Sequence, residues 1–231
     1  MRIEKYLGSS KQEVEAKKFD IWFGVSLGNK YFTKENIKKY LVWCLENTKS
    51  ELLCIISDRL YAIKLEALDD YSKQRAFRVA YRLGDEKEKE LFEIIKEFPK
   101  EKRDLIKIAR FKEILSTKYY EYRFEILHES YNEDEKFRFF VDKITKEAYS
   151  KGPHTLTEKR IKKLAEYVLR EIPIYLNGAY YDGKYYQATI YPGLGLIDEL
   201  IIGLHTGKLF PEISKKLKIH NQIAILEGYV D

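Results

Sequence analysis

The chain is 231 residues long, with 45% hydrophobic and 34% charged residues, which is enough to bury one sizeable core. It has no apolar run near the roughly 20 residues of a membrane span, and residues 1–18 lack the apolar core of a secretory signal, so neither membrane nor secreted classes are expected. The net charge of +5 is weak evidence for a polyanionic partner.

The first sixty residues predict a strand–helix–strand unit. The apolar run from Phe19 to Ser26 is a predicted buried strand, and Leu27-Gly28-Asn29 is a turn signal. Thr33 is a predicted N-cap for a helix over residues 34–49, and a second buried strand is predicted within residues 51–58. Two such strands joined by a helix favour a parallel sheet.

Helices dominate the prediction for the middle of the chain. A long charged helical region is predicted over residues 60–96, interrupted at Gly84 and broken at Pro99. Further helices are predicted over 101–116, twice within 119–149, and from the N-cap Thr157 towards residue 171, where Pro173 ends or kinks the helix.

Shorter elements are predicted for the last quarter of the chain. Turns are expected at 177–178 and 182–183, with loop and strand over 180–190, a short helix near 197–204 and a last strand near 222–229. Cys44 and Cys54 lie in apolar stretches without Cys-x-x-Cys spacing and are predicted to be buried free thiols in a reducing cytoplasm. The expected fold is α/β, in one domain over residues 1–231, with a parallel sheet flanked by helices.

Ser26 stands at the carboxyl end of the first predicted strand. Ligands of open α/β sheets bind outside such strand ends. The glycines on either side, Gly24 and Gly28, allow close backbone approach, and N–H groups of the following turn could stabilise an oxyanion. From position alone, a structural role is favoured, in which the glycines shape the turn and Ser26 forms local hydrogen bonds.

The segment Gly24-Val25-Ser26-Leu27-Gly28 also matches the Gly-x-Ser-x-Gly nucleophile elbow of α/β-hydrolases. Such an elbow usually follows several strands, whereas Ser26 lies on the first predicted strand. The four histidines, at positions 128, 154, 205 and 220, lie in no distinctive motif that would complete a triad. A serine without a histidine can still act on an activated ester such as an aminoacyl-tRNA, because exchanging one ester for another is close to isoenergetic.

A second group of candidate residues lies in the last third of the chain. Tyr167 and Glu171 are four residues apart and share one face of the predicted helix. Thr189 and Tyr191 face the same side of a strand that Pro192 ends. Taken singly, each pair is more typical of packing than of catalysis, and only in a cleft would Glu171 bind an amine or act as a general base.

Three motifs in order resemble the tRNA-dependent cyclodipeptide synthases. They are Gly24-Val25-Ser26-Leu27-Gly28-Asn29, Tyr167-x-x-x-Glu171-x-Pro173 and Tyr191-Pro192, and Ile56-Ser57-Asp58 also resembles this family. The resemblance runs from about Phe19 to Tyr191. It implies a monomeric Rossmann-like domain, similar to the catalytic domain of class I tyrosyl- and tryptophanyl-tRNA synthetases, without their ATP-binding signatures. No cofactor, metal or membrane partner is expected.

The resemblance also implies a ping-pong reaction on two aminoacyl-tRNAs. Ser26 takes the first aminoacyl group, a second aminoacyl-tRNA donates its amine to give a dipeptidyl-enzyme, and cyclisation releases a diketopiperazine. Tyr167 and Glu171 would hold the amino group of the bound aminoacyl moiety, and Glu171 would accept a proton. Tyr191 would position the intermediate and relay a proton.

Candidate substrate-binding residues follow from the same resemblance. Trp22 and Gly24 point to the same side of the strand as Ser26 and are predicted to line the first side-chain pocket. The further candidates are Asn29, Cys54, Ile174 and Thr189. Asn29 is typical of one subgroup of the family and Pro192 of the other, so the subgroup does not fix the product.

A basic segment over residues 96–112 is the predicted tRNA contact. On the helix predicted there, Lys100, Arg103, Lys107 and Arg110 recur at three- and four-residue spacing and would form one stripe. Such a run is usually a solvated face, but beside the three motifs a tRNA-backbone patch is the favoured interpretation. Three hypotheses thus remain: a cyclodipeptide synthase, a Gly-x-Ser-x-Gly hydrolase, and a non-catalytic RNA-binding protein.

Overall fold

The structure is a computed structural model that describes residues 1–150, 152–193 and 195–230. Its strands are β1 (Arg2–Leu7), β2 (Ile21–Val25), β3 (Leu52–Ile56), β4 (Ile106–Arg110), β5 (Ala179–Tyr181), β6 (Lys184–Tyr186), β7 (Ala188–Tyr191) and β8 (Ala224–Tyr229). Its helices are α1 (Lys11–Glu15), α2 (Lys34–Asn47), α3 (Asp58–Leu68), α4 (Lys73–Lys96), α5 (Lys100–Arg103), α6 (Phe111–Leu115), α7 (Lys118–Glu133), α8 (Glu135–Tyr149), α9 (Glu158–Asn177), α10 (Leu196–Thr206) and α11 (Pro211–Leu217).

The main sheet has the strand order β1-β8-β7-β2-β3-β4. The contacts from β8 through β7, β2 and β3 to β4 are all parallel, and β1 joins β8 antiparallel at one edge. The short strands β5 and β6 form a separate antiparallel hairpin. The predicted α/β fold with a parallel sheet flanked by helices is therefore confirmed.

Both faces of the sheet are covered, which explains the uninterrupted apolar strands in the sequence. On one face Ile21, Phe23 and Val25 of β2 pack with α2 and the second half of α4. On the other face Trp22 and the neighbouring strand residues pack with α6, α7 and α9. The strand–helix–strand prediction for the first sixty residues is confirmed, including Thr33, which accepts a hydrogen bond from the N–H of Asn36 as the N-cap of α2.

The predicted interruption of the long charged helix at Gly84 is wrong. Helix α4 runs unbroken from Lys73 to Lys96, and the break lies before it, at residues 69–72, where Asp70 has a φ of 52°. Gly84 is buried, and a Cβ at that position would collide with the Arg110 guanidinium. Here glycine allows two elements to approach closely and does not mark the end of a helix.

Helix α9 does not end at Pro173, as the sequence allowed. It begins after Thr157, which caps it as predicted, and continues through Pro173 to Asn177. A proline inside a helix removes the hydrogen bond that its N–H would give to the carbonyl four residues earlier. The buried apolar face of α9, which packs against α3, α7, α8 and α10, outweighs that loss.

One edge strand of the sheet escaped prediction. Strand β1 is charged and mostly exposed, so it has no apolar pattern, and its pairing with β8 defines it.

Cys44 and Cys54 are buried free thiols, as predicted, and burial raises the pKa of Cys54 to about 12. In the described part of the chain, no helix combines the length and the apolar character required to cross a lipid bilayer.

Candidate active site

Ser26 lies directly after β2, at the carboxyl end of the parallel strands. The turn that follows requires glycine at position 28, because Gly28 has a φ of 72° and a Cβ there would lie 2.7 Å from the Tyr61 hydroxyl oxygen. Tyr61 belongs to α3, which starts at the end of the neighbouring strand β3. The turn is thus wedged against α3, and Ser26 is held where the strand ends.

The Ser26 side chain is hydrogen-bonded to a tyrosine. Its Oγ lies 3.0 Å from the Tyr191 hydroxyl oxygen, and the Asn29 amide donates to the same hydroxyl at 3.4 Å. Asn29 is itself fixed, because its Oδ1 accepts from the N–H of Tyr31 at 3.0 Å. Tyr31 is in turn anchored to the end of the chain by the N–H of Val230, at 2.9 Å from its hydroxyl oxygen.

A small cavity of about 20 Å³ opens beside Ser26. Its wall on the sheet side is formed by Trp22, Gly24 and Ile55. The rest of its lining comes from the surrounding helices and from β7, namely Ser57, Leu60, Phe111, Glu171, Ile174, Tyr175 and Tyr191. Ser26, Ser57, Glu171 and the hydroxyls of Tyr175 and Tyr191 give the lining polar groups, and the remaining lining is apolar, so the cavity offers both kinds of contact.

Glu171 contributes the carboxyl group of this site. Its pKa is raised to about 8, chiefly by burial and also by the negative charge of Asp198, while a hydrogen bond from the Tyr167 hydroxyl opposes the shift. Asp198 is 4% exposed, and burial raises its own pKa to about 6. A carboxyl group poised near neutral pH can give or take a proton during a reaction.

Tyr191 remains neutral at physiological pH. Burial raises the pKa of its hydroxyl, and the charge of Glu171 adds to this, although the hydrogen bonds to Ser26 and Asn29 lower it. A neutral phenol can donate one hydrogen bond and accept another at the same time. Tyr191 is therefore placed to pass a proton to or from the Ser26 oxygen.

The structure brings together most of the predicted substrate-binding residues, with two exceptions. Trp22, Gly24 and Ile174 line the cavity, and Asn29 contacts Tyr191. Thr189 pairs in register with Trp22 and is buried, but it does not line the cavity. Cys54 was a wrong prediction: it pairs with Phe23 and packs in the core on the opposite face of the sheet.

The alternation of side chains along a strand explains the error at Cys54. Paired residues on parallel strands point to the same face. Because Gly24 pairs with Ile55, the cavity receives Ile55 from β3, and its neighbour Cys54 must face the other side. Only the register between β2 and β3, which the sequence does not contain, decides between the two.

The predicted basic stripe is also wrong. Lys100 and Arg103 lie on the single-turn helix α5, whereas Lys107 and Arg110 lie on strand β4. Arg110 is 5% exposed and its guanidinium donates to Asp58 and Asp85 at 2.7 and 2.6 Å. It is also 3.3 Å from a Glu88 carboxylate oxygen, so this cation is fully engaged inside the protein.

A different basic surface is present, which the sequence reasoning missed. Residues 73–84 of α4 contain no acidic residue, and Arg75, Arg78 and Arg82 are exposed at three- and four-residue spacing. Gly84 of the same helix meets Arg110 at the carboxyl end of β4. The preceding turns of α4 therefore project beyond the carboxyl ends of the strands, on the side where Ser26 lies.

No histidine is near the nucleophile. The described contacts of His128, His154, His205 and His220 are with Asn132, Asp69, the carbonyl of Asn221 and Asn177, respectively, and none of the four lines the cavity. A Ser-His-acid triad needs the imidazole within hydrogen-bond distance of the serine. The geometry disfavours the hydrolase hypothesis.

Comparison with solved structures identifies proteins of the same fold. A cyclodipeptide synthase of Staphylococcus haemolyticus aligns with a TM-score of 0.73 and 18% identity over 96% of this chain and 97% of its own. A cyclodipeptide synthase of Candidatus Glomeribacter gigasporarum, solved bound to Phe-tRNAPhe, aligns with a TM-score of 0.59 and 16% identity. The alignment covers 92% of this chain and 88% of that one. The tyrosyl-tRNA synthetase of Archaeoglobus fulgidus aligns with a TM-score of 0.55 and 12% identity, over 94% of this chain and 56% of its own. This alignment agrees with the predicted synthetase-like fold.

Comparison with curated proteins gave no significant match. The family model described as cyclodipeptide synthase matches residues 5–194, which include the Ser26 turn, the Tyr167 and Glu171 helix and Tyr191. On this match, the chain belongs to the cyclodipeptide synthase family of tRNA-dependent aminoacyl-transferring enzymes.

Proposed function

We propose that this protein joins the amino acids of two aminoacyl-tRNAs into a cyclic dipeptide by a ping-pong mechanism on Ser26. The observation that carries the proposal is the contact of 3.0 Å between Ser26 Oγ and the Tyr191 hydroxyl, at the mouth of a cavity closed by Glu171. A serine paired with a phenol and no imidazole is a weak nucleophile for amides but sufficient for an ester that is already activated.

In the first half-reaction, Ser26 Oγ forms a bond to the carbonyl carbon of the first aminoacyl ester. The bond from that carbon to the ribose oxygen of the tRNA breaks. The serine proton leaves through the Tyr191 hydroxyl, and the ribose oxygen takes up a proton, so the charge is balanced without a metal or a cofactor. Ser26 then carries the first amino acid as an ester.

The balance of bonds decides which amine attacks in the second half-reaction. The resemblance implies that the second aminoacyl group supplies the amine, but the dipeptide would then end on tRNA and Ser26 would be free. A dipeptidyl-enzyme instead requires the amine of the group on Ser26 to attack the second ester. The pair of Tyr167 and Glu171 suits this step, since a carboxyl group with a pKa of about 8 is ionised in part of the molecules near neutral pH, and the ionised form can bind that amine and accept its proton.

Cyclisation uses the same groups in reverse. The amine of the second residue attacks the ester carbon on Ser26, an amide bond closes the ring, and Ser26 Oγ departs. The Tyr191 hydroxyl, already hydrogen-bonded to that oxygen, returns the proton. No water is consumed in any step, which is consistent with a cavity of only about 20 Å³ beside Ser26.

The cavity beside Ser26 is proposed to hold the first amino-acid side chain. Its volume of about 20 Å³ is only slightly more than the roughly 10–15 Å³ that one water molecule requires. Trp22 and Tyr175 meet edge-to-face with ring centroids 5.0 Å apart and limit its depth. We infer that the first amino acid is a compact aliphatic one and that aromatic side chains are excluded.

The exposed arginines of α4 are the proposed contact for the tRNA backbone. Arg75, Arg78 and Arg82 are exposed on the first half of α4, which packs on α3. The related enzyme from Candidatus Glomeribacter gigasporarum was solved bound to Phe-tRNAPhe. Replacing Arg75 and Arg78 together by alanine should raise KM for aminoacyl-tRNA about 10-fold and flatten its salt dependence. An equal effect from replacing Lys100 and Arg103 would contradict this assignment.

The decisive test of the function is a covalent adduct. The purified enzyme is mixed with a set of radiolabelled aminoacyl-tRNAs, and acylation is located by mass spectrometry of peptides. The expected result is an aminoacyl ester on Ser26, and diketopiperazines among the products. The Ser26→Ala variant should give neither, while Ser9→Ala is the matched control. Diketopiperazine production by the Ser26→Ala variant at the wild-type rate would reject the mechanism.

A further inference from the structure

Two serines stand side by side where β2 and β3 end. Val25 and Ile56, the last residues of these parallel strands, pair in register, and Ser26 and Ser57 follow them directly. The Ser57 N–H donates to the Val25 carbonyl oxygen at 3.3 Å, so the two chain segments stay adjacent up to the serines. Neighbouring strands are about 4.8 Å apart. Ser57 is therefore the nearest strand neighbour of the nucleophile on the β3 side.

Both serines face the cavity. Val25 and Ile56 point into the core on one face of the sheet, and side chains alternate along a strand, so Ser26 and Ser57 point to the opposite face. Both line the cavity on that face. On the other side of β2, Tyr191 of β7 lies 3.0 Å from Ser26 Oγ. The nucleophile is thus flanked by a phenol on one side and by a second serine on the other.

The hydroxyl of Ser57 does not cap the helix that begins there. A serine at an N-cap usually accepts a hydrogen bond from an N–H in the first turn of its helix. Ser57 is the N-cap residue of α3, yet its side chain makes no capping hydrogen bond. The Asp58 carboxylate accepts from the Arg59 N–H instead, at 2.8 Å. The Ser57 hydroxyl is therefore available to a group bound in the cavity.

The other polar groups of the cavity lining have different places and tasks. Tyr191 takes the serine proton, and Glu171 binds the amine in the mechanism proposed above. The Tyr175 ring packs edge-to-face on Trp22 and limits the depth of the cavity. Among the described residues of this lining, Ser57 is the one that follows the strand next to the nucleophile on the side away from Tyr191.

We propose that the Ser57 hydroxyl donates a hydrogen bond to the carbonyl oxygen of the ester that forms on Ser26. This inference rests on the proposed function and adds a donor to it. As Ser26 Oγ bonds to the carbonyl carbon, one electron pair of the C=O bond moves to the oxygen, and a donor fixed beside that oxygen stabilises the charge. When the pair returns, the bond to the ribose oxygen breaks. The hydroxyl proton of Ser57 stays on Ser57 throughout.

The position of Ser57 determines which steps need it. Acylation and cyclisation both pass through a tetrahedral carbon attached to Ser26 Oγ, so the same donor acts in both. In the step between them, charge develops on the carbonyl oxygen of the second ester, which is attached to tRNA and not to Ser26. Loss of the Ser57 hydroxyl should therefore slow the first and last steps, spare the middle one, and leave a dipeptidyl ester on Ser26.

Single-turnover measurements on the Ser57→Ala variant test this pattern. We expect acylation of Ser26 to be slower by about 100-fold at saturating aminoacyl-tRNA, because the lost donor acts on charge that develops in the transition state. Enzyme loaded by long incubation is then mixed with a second aminoacyl-tRNA. The dipeptidyl ester should form within about 2-fold of the wild-type rate and then persist, as mass spectrometry of the peptide over residues 19–30 would show.

Ser10→Ala is the matched control, because the Ser10 hydroxyl does cap a helix. It accepts from the Glu13 N–H at 3.2 Å at the start of α1. This variant should lower Tm by about 2 °C and leave all three steps at the wild-type rate. Ser57→Ala should show the reverse, with Tm within about 1 °C of wild type and two steps slowed.

The remaining outcomes overturn the inference. Acylation by Ser57→Ala within about 3-fold of wild type would show that its hydroxyl stabilises no charge on the ester. Equal slowing of all three steps would show a structural effect. If the wild-type enzyme forms no adduct on Ser26, the proposed function fails and this inference falls with it. A wild-type adduct combined with an unaffected Ser57→Ala variant overturns the inference alone.

Discussion

Two groups of ionisable residues lie at the carboxyl ends of β2 and β4, which are separated by β3, and their charges are compensated to very different degrees. Around Arg110, at the end of β4, the guanidinium is matched by Asp58, Asp85 and Glu88. Around Ser26, at the end of β2, the carboxyl of Glu171 has one hydrogen bond from Tyr167, no cation is among the causes that shift its pKa, and burial raises that pKa to about 8.

The difference shows how a charged residue at a strand end can be assigned a role. Charges that are paired with opposite charges of neighbouring residues stabilise the fold and are not available to bind a ligand. A buried carboxyl that lacks a cation is costly to keep ionised, and it persists where a reaction uses it. Both groups are at the ligand-binding edge of the sheet, so position alone does not separate them.

The largest expected effect comes from removing the cation of the compensated group. Arg110→Met should lower the free energy of unfolding by about 3–5 kcal/mol, because Asp58, 2% exposed, is left as a buried charge without its partner. Urea denaturation measures this. The control is Arg103→Met on exposed α5, which should change stability by less than about 0.5 kcal/mol. Equal losses in both variants would mean that the Arg110 group is not a structural one.

The next effect concerns the uncompensated group. Glu171→Gln should lower the rate of cyclic dipeptide formation by about 100-fold, because the base for the bound amine is lost. Quantification of product by mass spectrometry under saturating charged tRNA measures this. Glu166→Gln is the control, since Glu166 lies on the same helix but is paired with Arg170 and Lys163. A larger loss in the control would place the catalytic carboxyl one turn away from the site described.

A smaller effect is expected from enlarging the cavity. Trp22→Ala should raise the relative rate of Ser26 acylation with aromatic over aliphatic aminoacyl-tRNAs by about 10-fold, as one pocket residue typically shifts discrimination by 1–3 kcal/mol. Competition between two charged tRNAs in one reaction measures the ratio. Trp43→Ala, on α2 and outside the cavity, should leave it unchanged. If Trp22→Ala does not change the ratio, the cavity does not select the first amino acid.

The smallest effect is a dependence of stability on pH. Glu171 stays protonated in the folded protein up to about pH 8, whereas the unfolded chain ionises near 4.5. The unfolded state therefore binds fewer protons between these values, and stability falls as pH rises from about 5 to 8. The difference in Tm between Glu171→Gln and wild type should therefore shift in favour of the variant as pH rises over this range, and thermal denaturation at several pH values measures it. A difference independent of pH would show that Glu171 is ionised in the folded state.

The parts of the site that were predictable are those encoded locally. The apolar run before Ser26, the turn after it and the helical spacing of Tyr167 and Glu171 are all short-range patterns. Ser26 and Tyr191 converge because their parallel strands end at one edge of the sheet, whereas Tyr167 and Glu171 reach the site through the packing of helix α9. The family resemblance then joined motifs that are weak one at a time.

The errors share a different cause, since each depended on a partner distant in sequence. Lys107 and Arg110 fit a helical spacing, yet their backbone is a strand because β3 pairs with it. Cys54 was predicted on the wrong face of the sheet because the sequence does not contain the register between β3 and β2.

Pro173 gives helix α9 a weak point close to Glu171. The carbonyl of Leu169 receives no hydrogen bond from position 173, and the next carbonyl, that of Arg170, accepts one from the Tyr120 hydroxyl at 2.8 Å. The turn that carries Glu171 is thus supported by a side chain of α7 as well as by its own backbone. Its amide protons should exchange with solvent by local opening, earlier than those of the rest of α9. Substrate that contacts Glu171 would then slow this exchange, so hydrogen exchange can report occupancy of the site in the absence of turnover.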